Sequence, residues 1–367
     1  MVGAHVGALQ SRQNEPEREK TMFKLHRIAA VLASLAICTV AAGCSSETAD
    51  QGSGTTDDHL GESEAPLARF KPYMTTLRST LESGQTNEQI ANTLLNSGRP
   101  ASFSLQALCR LYSDADPKFK EIRDDFKRLE DGIGQYDKWA SIYNSAVSAR
   151  QDQATLDRLK GQRDAALTTF TKMLTDRKFL VPAGETSRMK EIQAFLDGFD
   201  WKTRKDDRAL ILKALGKELE DLEETTYDMT ILEYGNGVHE LRRDLRWVLI
   251  EQLGLNGMIV ANEASCAIDA YKNTPNDGRY GALRSSAQEP NPCKIDACVI
   301  YQAAKTVSDI GDIKDQAETE VNIGNQAEAD KVPERLVAPA KAIYDGITTN
   351  KLFSTYRAQL KACKDSL

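Results

Sequence analysis

Phe119, Ile122, Phe126, Leu129 and Ile133 recur at steps of three and four. That spacing places all five on one face of an α-helix. A strand would need alternation every second residue. Leu156, Leu159, Leu167 and Phe170 keep the same period, with Arg163 standing in the stripe. Strict apolar–polar alternation is hard to find after residue 65, so the chain reads as all-α, a protein of helical bundles. Thr86 followed by Gln89, ahead of Ile90, Leu94 and Leu95, is a capping-box pattern for a helix start. The periodicity predicts helices over 65–83, 87–96, 102–113, 117–148, 152–177, 186–198, 203–229, 236–256, 258–272, 294–320 and 333–365. Breaks are expected at Ser97-Gly98-Arg99-Pro100 and Val181-Pro182-Ala183-Gly184. The longest loop is expected at Asn273–Pro292, rich in Gly, Pro, Asn and Ser.

The first 65 residues have a different character. Lys24 and Arg27 precede an uncharged apolar run, Ile28–Val40, too short for a permanent bilayer span. The run ends at Ala41-Ala42-Gly43-Cys44, which resembles the lipobox of bacterial lipoproteins. That resemblance implies that residues 1–43 are a signal peptide and that an acylated Cys44 becomes the new N-terminus. Met22 is a better start than Met1, and Ser45 points to the outer membrane, with the protein facing the periplasm. Residues 44–65 carry Glu47, Asp50, Asp57, Asp58, Glu62 and Glu64 and no Lys or Arg, the composition of a solvated tether. Residues 66–367 are left for the helical domain.

The whole chain has 47 Lys+Arg against 54 Asp+Glu, a net charge of −7. Such a balance excludes a general polyanion binder, so any anion must be held by a local patch. Seven cysteines are present. Cys38 lies within the signal and Cys44 takes the lipid. In an exported protein Cys266, Cys293, Cys298 and Cys363 are disulfide candidates of open pairing, and Cys109 is the expected free thiol. A bridge across Asn273–Pro292 would tie down that loop. The Cys293–Cys298 spacing does not suit zinc and no His lies near it, so no metal site or cofactor is expected.

One local patch is present. In Gly237-Val238-His239-Glu240-Leu241-Arg242-Arg243-Asp244-Leu245-Arg246-Trp247 stands the only histidine after residue 65. At about 100° per residue, His239, Arg242, Arg243 and Arg246 share one arc of the helix, opposite Val238, Leu241, Leu245 and Val248. Arginine presents a planar fork of donors that matches phosphate or carboxylate oxygens, and a protonated histidine adds to it. Lys205 and Arg208, in the basic cluster that opens the preceding helix, are candidates to extend the patch. The alternative is a solvated face whose arginines pair with Glu240 and Asp244.

The H-x-x-R-x-x-x-R spacing of His239, Arg242 and Arg246 resembles the signature of the CHAD family, the conserved-histidine α-helical domain. Ile310-Gly311-Asp312-Ile313-Lys314-Asp315 is similar to that family's later turn and, more loosely, Ile133-Gly134-Gln135-Tyr136-Asp137 to the corresponding turn in its first half. The resemblance covers about residues 115–320. It implies two four-helix bundles related by a pseudo-twofold axis, with a basic channel that binds inorganic polyphosphate. Trp247 and Leu249 stand where that family has further basic residues.

Other functions have less support. A single His without a Ser or Cys nucleophile beside it is no triad, so an enzyme is not expected. No aromatic platform is interleaved with the basic residues, which argues against nucleic acid. The expected partners are the lipid bilayer through Cys44 and a polyanion such as polyphosphate. The rival expectation is a structural lipoprotein that contacts an envelope protein.

Overall fold

The computed structural model describes residues 64–233, 235–265, 289, 291–323 and 330–365. They belong to one unit, His59–Leu367. The signal segment, Cys44, the acidic stretch as far as Ser63, Cys266 and nearly all of Asn273–Pro292 lie outside the described residues.

Eleven α-helices are described: α1 Glu64–Leu81, α2 Asn87–Thr93, α3 Arg99–Leu111, α4 Lys118–Ser148, α5 Gln153–Asp176, α6 Arg188–Gly198, α7 Arg204–Glu224, α8 Val238–Gly254, α9 Ala297–Ile323, α10 Glu334–Thr349 and α11 Leu352–Asp365. Among the described residues the fold is all-α apart from two short strands. None of the described helices is long and apolar enough to cross a membrane.

Side-chain caps start several of these helices. Thr86 Oγ1 accepts from the Gln89 amide at 3.3 Å, and the Thr86 amide donates to Gln89 Oε1 at 2.9 Å, the expected capping box. Asp152, Ser187 and Thr203 cap α5, α6 and α7 in the simpler one-sided way.

Four local expectations are corrected. Ser97–Pro100 does not break the chain, because a π-turn, Leu94–Gly98, runs straight into α3. Pro100 follows directly, just after the Arg99 amide donates to the Leu94 carbonyl in the wider π register. The helix expected over 258–272 starts instead as β1, Ile259–Asn262, which pairs in parallel with β2, Cys293–Asp296. The helix expected over 333–365 divides at Asn350-Lys351, where Lys351 takes a left-handed φ of 50°. Ile133-Gly134 and Ile310-Gly311 lie within α4 and α9 and form no turns.

The central element is α3, which packs against α1, α4 and α8; α8 in turn packs against α9. α4 and α5 form a long hairpin, and α11 lies on α7. One continuous core joins Phe70, Leu105, Leu108, Phe126, Leu241, Leu245, Ile310 and Tyr356. Within it Phe199 and Trp201 meet edge to face at 4.8 Å, and Trp201 meets Tyr112 at 5.2 Å.

Beside these rings lies a charged network. Arg69 is 2% exposed. Its Nη1 donates to Tyr112 Oη and Asp207 Oδ2, both at 2.7 Å, and its Nη2 donates to Glu289 Oε1 at 2.8 Å. The Tyr112 hydroxyl donates to Asp207 Oδ1 at 2.6 Å. Burial would lower the Arg69 pKa, but Tyr112, Asp207 and Glu289 outweigh it and hold the guanidinium charged.

Cys293 is bonded to Cys363, 70 positions on, and therefore does not close the Asn273–Pro292 loop. Cys298 is also disulfide-bonded. Cys109 is a free, buried thiol, and burial pushes its pKa well up.

Candidate anion-binding cavity

The start of α8 is set by backbone contact. The amides of Val238 and His239 donate to the carbonyls of Ile231 and Leu232, each at 3.0 Å. A Cβ on Gly237 would come within 2.5 Å of the Ile231 carbonyl oxygen, so only glycine allows the close approach. From there Val238, Leu241, Leu245 and Val248 are fully buried, the face that the periodicity marks as apolar. Its other face meets a cavity of about 800 Å³.

His239, Arg242, Arg243 and Arg246 all line this cavity. α3 contributes Arg99, Phe103, Gln106 and Arg110, α4 contributes Arg123 and Lys127, and α9 contributes Lys314. Eight Lys and Arg side chains thus face three carboxylates, Glu130, Asp131 and Asp244, in a chain that is acidic as a whole. The volume falls within the roughly 300–1,000 Å³ of ordinary small-ligand sites.

The cations differ in how they are held. Arg243 is ion-paired with Glu240, one helical turn earlier, and lies 3.7 Å from Asp244. His239 Nδ1 lies 3.1 Å from Glu233 Oε2 without the alignment of a hydrogen bond. Arg99 donates to Glu130 at 3.1 Å and Asp137 at 2.9 Å. Arg110 is bonded to Glu218 and donates to Glu251 at 2.9 Å. Arg123–Asp124 and Lys127–Asp131 are exposed pairs.

Two aromatic rings support these cations. Phe103 and Trp247 meet edge to face at 5.6 Å. The Arg246 guanidinium lies over Phe103, 4.2 Å from its centroid, and Arg110 lies over Trp247 at 5.0 Å. Arg242 stands apart. Its Nε is out of solvent and has no hydrogen-bond partner. The Nε2 of Gln106, a residue only 2% exposed, is likewise unpartnered. Buried donors without acceptors are uncommon in folded proteins, and both of these atoms are closed to solvent.

Glu251 sits behind Arg110 and is fully buried. Burial and the neighbouring Glu218 push its pKa up to about 8, against the opposing pull of Arg110.

The structure does not bring Lys205 or Arg208 to this cavity. Lys205 is exposed on α7. Arg208 is largely buried, donates to the Asn291 carbonyl at 2.5 Å, and lines a separate cavity with Lys294, Asp296 and Gln359. The reason is the direction of the α7 face, which sequence does not give. In the other direction, sequence reasoning missed Arg99, Phe103, Gln106, Arg110, Arg123, Lys127 and Lys314. The signal on α3 was there: Arg99, Phe103, Gln106 and Arg110 are spaced four, three and four, one stripe of a helix. The expected break at Ser97–Pro100 assigned Arg99 to a loop and hid the stripe.

No family model, curated protein or solved structure matches this chain.

Proposed function

We propose that this protein binds a polyanion, best matched by inorganic polyphosphate, in the cavity between α3, α4, α8 and α9. One observation carries the reading: His239, Arg242, Arg243, Arg246 and five further Lys and Arg side chains line one cavity with three carboxylates. The resemblance of His239, Arg242 and Arg246 to the CHAD signature points the same way. Arg242 and Arg246 grip phosphate oxygens, and His239 and Arg243 flank them. Exposed pairs such as Lys127–Asp131 are worth at most about 1 kcal/mol, so an anion that takes over the cation gives up little. A hydrogen bond to a charged group contributes about 1.5–3 kcal/mol, enough to favour the exchange.

The test is calorimetric titration of the full chain with polyphosphate at low salt and then at rising salt. Affinity falls steeply with salt, because counterions are released. Arg242→Ala and Arg246→Ala each weaken binding on the order of tenfold or more. Absence of binding, or binding that the paired substitution leaves unchanged, rejects the reading.

The cell-envelope location belongs to the same proposal. The protein is anchored to a bacterial membrane, the outer membrane in a two-membrane cell, by lipid on Cys44. Mass spectrometry of the mature N-terminus reads this directly, and an unmodified Cys44 would refute it. A second reading rests on the pairs Arg243–Glu240 and Arg110–Glu218, which leave those arginines occupied. On that reading the protein is a structural lipoprotein that contacts an envelope protein, and polyphosphate does not bind.

A further inference from the structure

We infer that Gly311 is a positioning residue for Arg242: it is a notch in α9 that seats the arginine side chain against the cavity wall. The inference deepens the anion-binding reading and rests on it. Gly311 lies well inside α9, a helix of 27 residues, and is buried. Apart from proline, glycine is the poorest helix former, so its place there requires a reason. The reason is steric. A Cβ at this position would lie 2.7 Å from Arg242 Nε, 3.4 Å from Cζ and 3.5 Å from Cδ. The first distance is closer than nonbonded carbon and nitrogen atoms approach. It also falls in the middle of the side chain, so the clash is not relieved by moving the guanidinium tip. The whole arginine must turn away.

A related pair borders the same cavity. Gly134 on α4 faces Arg99 of α3, and a Cβ there would lie 3.1 Å from Arg99 Nη2. In both cases Ile-Gly on one helix receives an arginine from its neighbour, Ile133-Gly134 for Arg99 and Ile310-Gly311 for Arg242. The contacts differ in kind. Nη2 lies at the far end of its side chain and has to yield by only a few tenths of an ångström, whereas the contact at Nε lies mid-chain and is closer. Alanine at 311 therefore disturbs its arginine far more than alanine at 134.

Two measurements on the full chain test this. The first needs no ligand. Thermal unfolding is compared for Gly311→Ala, Arg242→Ala and the double variant. Gly161→Ala in α5, where nothing lies within 4 Å of the added methyl, is the reference. In the Arg242→Ala background, Gly311→Ala should raise Tm as Gly161→Ala does, because alanine is the better helix former. With Arg242 present it should raise Tm less or lower it. An equal effect in both backgrounds overturns the seat. The second measurement is polyphosphate affinity against salt. Gly311→Ala should weaken binding about tenfold and lower the salt slope by about one contact. The double variant should bind no more weakly than Arg242→Ala alone. Additive losses or an unchanged slope overturn the positioning role. If the unaltered chain binds no polyphosphate, the anion reading fails, and the unfolding comparison still decides whether Gly311 seats Arg242.

Discussion

Two buried ionisable groups set the behaviour of single residues. Arg69 is held by Asp207, which lies out of water with it, and by the part-buried Glu289. Removing the guanidinium strands two carboxylates, so Arg69→Ala should cost about 3–5 kcal/mol in urea unfolding. A loss within the range of a surface substitution would show that water reaches the network. Glu251 has the opposite sign. Its folded-state pKa is raised to about 8 from the ordinary 4.5. The native state therefore keeps a proton that the unfolded chain releases, and stability falls as pH rises between those values. Glu251→Gln should flatten that dependence in unfolding measured at pH 5 and pH 8. With Glu251 protonated, Arg110 is less neutralised, so polyphosphate affinity should rise as pH falls through about 8. Neither group was legible beforehand. Glu251 is an ordinary polar residue in α8, and only the packing of α3 on α8 buries it behind Arg110.

Among the elements, helices were the legible part, because their signal is local. Thr86 and Gln89 close the capping box from three residues apart, and Phe119 to Ile133 mark the buried face of α4 within four turns. Thr86→Ala should cost about 1 kcal/mol in chemical unfolding. The contact between α4 and α5 rests on a glycine whose role sequence could not give. A Cβ on Gly132 would lie 2.3 Å from the Phe170 ring, so Gly132→Ala should destabilise by about 1–3 kcal/mol. Gly161→Ala, in the partner helix of that hairpin, should instead stabilise by about 0.5–1 kcal/mol. Equal effects at the two glycines would refute the close approach. The missed strands are legible only in hindsight, since Ile259–Asn262 is four residues long and its partner begins at Cys293.

Across the whole molecule, the Cys293–Cys363 bridge ties β2 to α11 over a separation of 70 residues. In the chain-entropy account, closing such a loop stabilises by about 4 kcal/mol. Replacing both cysteines by serine should therefore lower the urea midpoint strongly, and a midpoint shift near zero would contradict this. The all-α class, most helix bounds, Cys109 as the free thiol and the amphipathic stripe of α8 were readable from residue order alone. Each of these follows from residue type, or from spacing within a few turns of one chain segment. Helix packing settled that the stripe faces a cavity. It also decided that α3 supplies the opposing arginines, that Arg208 and Lys205 lie elsewhere, and that Gly311 makes room for Arg242. Those facts depend on which helix faces meet across long stretches of chain, and a helix's own period carries no information about its neighbour.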